Sequence, residues 1–541
     1  MKIWVLITLV CVAFISADAQ YISSVTYPDT TQSVDTDMGK LNVQLASSIT
    51  AEELREHLSI LASDEFEGRE TGEDGNEMAA DYIAMQFKAM GLPTFGENNN
   101  YFQDVYFNKT YWENNSLQVN GETYKHLWDY LSYATVNDEM VDFSSDQVMF
   151  LGYGIDDESY SDYKGKDVKG KVVMINKGEP FNKDSISYVT GTSEASEWSK
   201  GIWKKLETAQ SNGVKMVIVI EDKLQEFLGK NRRFLVNPSL RLGDGTTTEK
   251  QYANHMYVST NIAKNIIGDN EKQLKKWRKK NKKKGQSRDL VFDANITGVF
   301  DKKVDIITGS NVMGYIEGTD LKDELIVVSA HFDHLGKRGE DVYNGADDNG
   351  SGTCTVLEIA EALSLAKKRN NGPRRSVLCL LVTGEEKGLL GSRYYSENPV
   401  FPLENTVADV NVDMVGRTDE RYGDNGNYIY VIGSDRLSAD LHSINEDVNQ
   451  NYSQLILDYK YNDEKDPNRY YFRSDHYNFA RKGIPSIFFF SGVHEDYHRT
   501  TDTVDKILFP KMEKVGRHIF HLVWELANRD ERIPVTVKAE E

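Results

Sequence analysis

The sequence predicts an α/β fold: a mixed, mostly parallel sheet flanked by helices, with a smaller β-rich domain inserted. Three observations predict it. From about residue 311 onward, short apolar runs alternate with helical patterns, the signature of βαβ units. Those runs lack a polar alternation, so the sheet is expected to be covered on both faces. Between about 147 and 293, short strands separated by Gly and Asp turns mark a different, strand-rich texture.

The elements follow in chain order. Residues 1–19 combine Lys2, an apolar run at 3–15 and the small-x-small site Ala17-Asp18-Ala19. This is a secretory leader by pattern, too short to span a membrane comfortably. The mature chain is expected to begin at Gln20 and to be secreted or periplasmic, without stable membrane insertion. Residues 20–146 are expected to open the catalytic domain. Within them, 51–92 read as two helices, with Leu54, Leu58 and Leu61 on one stripe and Tyr82, Ile83 and Phe87 on another. Gly91 is placed to cap the second.

Residues 147–293 form the insert, with strands at 148–151, 172–175 and 216–220 and a helix at 199–209. A basic run, EKQLKKWRKKNKKKG at 271–285, lies near its end. It is read as a solvated helix and loop offsetting local acidity, in preference to a polyanion-binding patch. Residues 294–541 complete the catalytic domain. They hold apolar strands at 324–330, 376–383, 407–412 and 484–490, and a helix at 351–368.

Composition narrows the function. The 541 residues allow two or three domains, and 39% hydrophobic with 27% charged residues is an ordinary globular balance. A net charge of −21 argues against a nucleic-acid partner. Beyond the leader, Cys354 and Cys379 lie in apolar segments outside any CxxC and read as buried small hydrophobes.

Each predicted strand of the catalytic domain runs out at acids or imidazoles. The first ends at His331-Phe332-Asp333, the second at Glu385-Glu386, the third at Asp413, and the fourth leads to His494 and His498. In open α/β sheets ligands sit beyond the carboxyl ends of strands. Imidazoles and carboxylates there are zinc ligands. His331 and Asp333, two apart on an extended segment, point to the same side. One can bind metal while the other orients the site from behind. In GADDNGSG at 345–352, a carboxylate can bridge two cations. Glu385 and Glu386 diverge, so one can bind metal while the other faces substrate. Adjacent buried acids are costly unless cations compensate them.

These motifs carry a resemblance. SAHFDHLG at 329–336, GADDNGSG at 345–352, TGEEKGLLGS at 383–392, NVDMVG at 411–416 and DYHRTTDT at 496–503 are similar to those of co-catalytic zinc aminopeptidases, whose relatives include glutamate carboxypeptidase. The stretch EGRETGEDGNEMAADYI from Glu67 resembles that family's lead-in. The middle region, with GYGI at 152–155 and DVKGKVVMI at 167–175, looks like an inserted protease-associated domain.

The resemblance implies two Zn²⁺ per chain. His331 and Asp413 would hold one, Glu386 and His498 the other, with Asp348 bridging. Asp333 would be the acid behind the site, Glu385 the general base, and Tyr497 a phenol near the reacting carbonyl. His334, His476 and His494 are left as structural or supporting histidines. The implied activity is aminopeptidase hydrolysis of peptide substrates, in a chain that could form a homodimer. A carboxypeptidase on the same scaffold is the alternative, since Arg473 and Arg499 could read a carboxylate. A glutaminyl cyclase and a metal-free binding protein rank lower, because the full ligand set and base are present.

Overall fold

The computed structural model describes residues 38–95, 99–236, 239–243, 251–285 and 290–536. The leader expected at 1–19 lies outside the described residues. Among the described residues, no helix is long and apolar enough to cross a membrane.

The chain forms two compact units. One runs from Phe107 to Ile307, and the other joins the segment up to Tyr106 with Thr308 onward. The stretch 147–293 falls within the first unit, which also takes in 107–146 and 294–307. The borders fall inside two long strands, Phe102–Val119 and Val291–Ile316. The first border carries no turn or breaker cluster, and the Gly309-Ser310-Asn311 run beside the second continues as strand.

The 107–307 unit is built on strands β1 (Met140–Phe150), β2 (Val172–Asn176), β3 (Met216–Ile220), β4 (His255–Val258) and the first part of β5 (Val291–Ile316). Strand β5 pairs antiparallel with β1, and β1 to β4 follow in parallel. The helix expected at 199–209 is interrupted at Gly201 into Glu197–Lys200 and Trp203–Ser211. The basic run forms one helix, Glu271–Lys284, whose Leu274 and Trp277 join the unit's core.

The other unit carries β6 (Leu321–His331), β7 (Arg375–Val382), β8 (Thr406–Val412), β9 (Tyr428–Ile432), β10 (Ile456–Asp458) and β11 (Ser486–Phe490). Strands β7, β6, β8 and β11 are adjacent and parallel. The last part of β5 pairs antiparallel with β7, and β9 pairs antiparallel with β11. Four parallel neighbours place four carboxyl ends along one rim. The side chains alternate as a sheet buried on both faces demands. Val377, Cys379 and Leu381 enter one core, while Leu378, Leu380 and Val382 enter another. The first face is covered by the helices Gly352–Lys368 and Phe509–Asn528, which contribute Leu357, Ile359, Ile519 and Leu522. Cys354 and Cys379 are free and buried there.

The two helices read at 51–92 are Ala51–Leu61 and Asp74–Met90, the second ended by Gly91 in the left-handed conformation. The first meets the Gly352–Lys368 helix through polar groups. His57 Nε2 lies 3.5 Å from Glu358 Oε1, and Glu361 is only 4% exposed. Burial, with Glu358 and Glu53 adding, pushes the Glu361 carboxyl up to about 7. The folded chain thus keeps a proton that the unfolded chain releases near pH 4.5. Stability contributed by that proton falls as pH rises through this window. Glu361→Gln is expected to raise stability at pH 8 by up to about 3 kcal/mol. No such gain is expected at pH 4, as read by urea unfolding at the two pH values.

Candidate metal centre

The four parallel strands deliver their terminal side chains to one cleft. His331 ends β6, Glu385 and Glu386 follow β7, Asp413 follows β8, and His498 lies eight residues beyond β11. Asp348 comes from the loop between β6 and the Gly352–Lys368 helix. All six line the same pocket.

Asp348 sits between two groups. Its Oδ1 lies 3.5 Å from His331 Nε2, which is also 3.5 Å from Asp413 Oδ1. Its Oδ2 lies 3.1 Å from His498 Nε2, which is 2.9 Å from Glu386 Oε1. Each oxygen of one carboxylate therefore faces a different imidazole-acid pair. Glu385 approaches the first group, with Oε2 at 3.9 Å from His331 Nε2. One ligand atom each from His331, Glu385 and Asp413 falls within 4.8 Å of the others, and so it does for His334, Asp348 and Glu386.

The loop conformation that aims Asp348 is fixed from several sides. Gly345 adopts a positive φ of 55°, and a Cβ there would lie 2.2 Å from the Asp348 carbonyl oxygen. The amides of Asp347 and Asp348 donate to the Asp502 carboxylate at 3.1 Å. Asn349 donates to the Val412 carbonyl and accepts from the Met414 amide, tying the loop to the end of β8 beside Asp413. Asp347 turns away, accepting from the Gly416 amide at 2.7 Å and facing His494 Nε2 at 3.3 Å. Of the two adjacent acids, the structure brings Asp348 into the cleft.

Asp333 acts through the backbone of its neighbours. Its carboxylate is 3.7 Å from His331 Nδ1, beyond a hydrogen bond, and that ring nitrogen faces the Asp333 carbonyl oxygen at 3.1 Å. The carboxylate accepts instead from the Glu385 and Glu386 amides, at 3.1 and 3.3 Å, and from Thr71 Oγ1 at 2.9 Å. It orients the two glutamates through their backbone.

Tyr497 lines the cleft with its ring stacked on His498, centroids 3.8 Å apart. Arg473 Nη2 lies 3.4 Å from the Tyr497 hydroxyl. Arg473 also lines the cleft, and Arg499 does not. The rest of the lining is apolar, from Met414, Tyr470, Phe488, Phe490 and Val493.

The electrostatics follow from crowding acids away from water. Burial drives the Glu385 carboxyl well above its usual range; Glu386 and Asp413 add to the rise and His331 opposes it. Burial would raise Glu386 too, but hydrogen bonds with His334 and His498 hold it well below. His498 is lifted to about 9 against the effect of burial, because Asp348 and Glu386 face it. Imidazole nitrogens and carboxylate oxygens are the donors zinc takes, and packed acids of this kind call for divalent cations. The residues fit such a cation, and they offer it two adjoining positions.

Several contributors escaped sequence reasoning. Arg69 is 1% exposed and donates to the carbonyls of Phe332, Leu61, Asn344 and Gly345 at 2.5–2.9 Å. It binds the end of β6 to the Asp348 loop. Burial lowers its pKa to about 10, so it stays charged at neutral pH. Ser474 Oγ donates to Asp413 Oδ2 at 2.8 Å, and Asp496 anchors the His498 loop to Arg417 and Lys506. His334, left as a spare, has Nδ1 3.2 Å from Glu386 Oε1. His476 is buried and stacks on Phe488. Isolated buried polar residues have no periodicity, so only a motif could have flagged them.

Residues 311–523 match the model of Peptidase family M28. That segment, 213 of the 541 residues, is similar to family M28. A probable leucine aminopeptidase from Trichophyton verrucosum is 30% identical over 38% of this chain and 55% of its own. Aminopeptidase YwaD of Bacillus subtilis is 26% identical over 43% of this chain and 47% of its own. The chain thus spans about half the length of these relatives. The likeness in fold extends further. An aminopeptidase from Aneurinibacillus sp. strain AM-1 superposes with a TM-score of 0.53 at 18% identity, covering 92% of this chain and 100% of that one.

Asp333→Ala would leave the Glu385 and Glu386 amides without their acceptor. Second-layer losses of this kind cost about 10–100-fold in metal affinity. Zinc titration of the apo protein by calorimetry is expected to show a loss in that range, with the fold retained by circular dichroism.

Proposed function

We propose that this chain is a secreted M28 exopeptidase using two zinc ions, and most directly an aminopeptidase. The observation that carries the reading is Asp348, with one oxygen toward His331 and Asp413 and the other toward His498 and Glu386. His331 and Asp413 would hold one zinc, Glu386 and His498 the second, and Asp348 both. Zinc bound there would supply Lewis-acid polarisation of the scissile carbonyl and lower the pKa of the attacking water.

The protein's own groups do the rest. Glu385 stands at the cleft beside His331, held by its backbone amide on Asp333. It takes the proton of the attacking water and returns it to the leaving amine. Burial among other acids raises its proton affinity, which suits a base that must then act as an acid. Tyr497 and Arg473 flank the carbonyl position, and Met414, Phe488 and Phe490 offer an apolar wall to the terminal side chain. The names of the fungal and Bacillus relatives favour the amino end. Export rests on the leader pattern at 1–19. The strand-rich stretch 147–293 is read as a protease-associated insert within the 107–307 unit.

Arg473 in the cleft is the observation that keeps a carboxypeptidase in view. A peptide panel blocked at one end or the other separates the two. Cleavage confined to peptides with a free amine is the expected result; cleavage confined to free carboxylates would establish the alternative. Glu385→Gln is expected to lower kcat by about 10²–10⁴-fold with zinc content unchanged. Near-normal turnover in that variant would remove Glu385 from the role of base.

A further inference from the structure

The basic helix Glu271–Lys284 takes no part in the chemistry above, and its charge is out of keeping with the chain. It carries nine Lys and Arg residues against one Glu, in a protein of net charge −21. If it served to offset local acidity, its lysines would meet carboxylates. Among the described residues, the ion pair found for these side chains is Lys275 with Glu271, 3.3 Å apart and within the helix itself. Lys280, on the flank, has contacts of its own.

The helix has two distinct faces. Leu274, Trp277 and Asn281 are buried, and Trp277 packs edge-on against Phe150 with centroids 4.9 Å apart. At 3.6 residues per turn, Lys272, Lys276, Lys279 and Lys283 fall on one stripe directly opposite. All four are exposed. At 1.5 Å per residue they form a straight row about 16 Å long.

We propose that this row is a docking strip for a linear acidic polysaccharide. Its shape and chemistry choose among polyanions. A bilayer would need an apolar face to insert, and the apolar face of this helix is already in the core. A planar anionic surface would also confront the acidic remainder of the chain. A single strand presents its charge along a line, and beyond about 8 Å the rest is screened. Nucleic acid is served by Arg forks and exposed aromatic platforms. Here eight of the nine cations are Lys, and the helix's one aromatic residue is buried. Lysine ammonium groups are compact, strongly hydrated charges, suited to sulfate or carboxylate groups met without fixed geometry. This proposal is independent of the peptidase reading.

The test is salt-dependent binding of the full chain to heparin, with neutral dextran as control. The chain is expected to bind heparin and not dextran. The quadruple variant Lys272→Gln, Lys276→Gln, Lys279→Gln, Lys283→Gln is expected to bind at least tenfold more weakly. Its slope of log affinity against log salt should fall by about 3, at roughly 0.7 per lost contact on a single strand. The same exchange at Lys164, Lys169, Lys183 and Lys223 should leave binding unchanged, and both variants should keep the unfolding midpoint and the peptidase activity of the parent. Equal heparin binding by parent and quadruple variant would overturn the proposal. So would tighter binding to single-stranded DNA or to phosphatidylserine vesicles than to heparin at the same salt.

Discussion

Asp348, Glu385, Glu386 and Asp413 are brought together from three loops beyond parallel strands, in a cleft that excludes most water. Four carboxylates so placed repel one another strongly in a medium of low dielectric. His331, His334 and His498 face these acids, and the basicity of two of them reflects it: His331 is raised and His498 lifted to about 9. The surrounding structure is arranged to hold these acids against the repulsion. Arg69 locks the end of β6 to the Asp348 loop through four carbonyls. Asp333 and Asp502 hold backbone amides on either side, and Ser474 steadies Asp413. The parallel order of β7, β6, β8 and β11 makes this convergence possible, because one rim receives all four chain ends.

Supporting groups act here through the backbone more than through ligand side chains. Asp333 is the plainest case. The sequence left its partner open, and the carboxylate grips the amides of the two residues that must point in different directions. Since Glu385 and Glu386 are adjacent, fixing their backbone fixes the divergence of their side chains. One can then face a cation while the other faces the reacting group. Asn349 plays a similar part between the Asp348 loop and β8.

Much of this was legible in the sequence. The uninterrupted apolar runs at 324–330, 376–383, 407–412 and 484–490 became β6, β7, β8 and β11 with ends shifted by a few residues. His331, Glu385, Glu386, Asp413 and His498 beyond their carboxyl ends meet in one cleft because parallel strands share a rim. What escaped was non-local. The borders near 107 and 307 lie within continuous strands, and the Gly309-Ser310-Asn311 run beside the second extends the strand instead of turning. The antiparallel partner β9, rich in tyrosine, gave no clear period. Arg69, Ser474 and Asp502 are single polar residues whose importance depends on burial. The choice of Asp348 over Asp347 came from resemblance, and its physical basis is the Gly416 amide and His494, which occupy Asp347.

The central claim is that the clustered acids exist to share cations across Asp348. Zinc K-edge X-ray absorption on the zinc-loaded protein tests it most directly. The account predicts nitrogen and oxygen ligands near 2.0–2.1 Å and a metal–metal distance of about 3.5–4 Å, which Asp348→Ala abolishes. A single isolated zinc in the parent protein, or a metal pair that survives loss of Asp348, would contradict it.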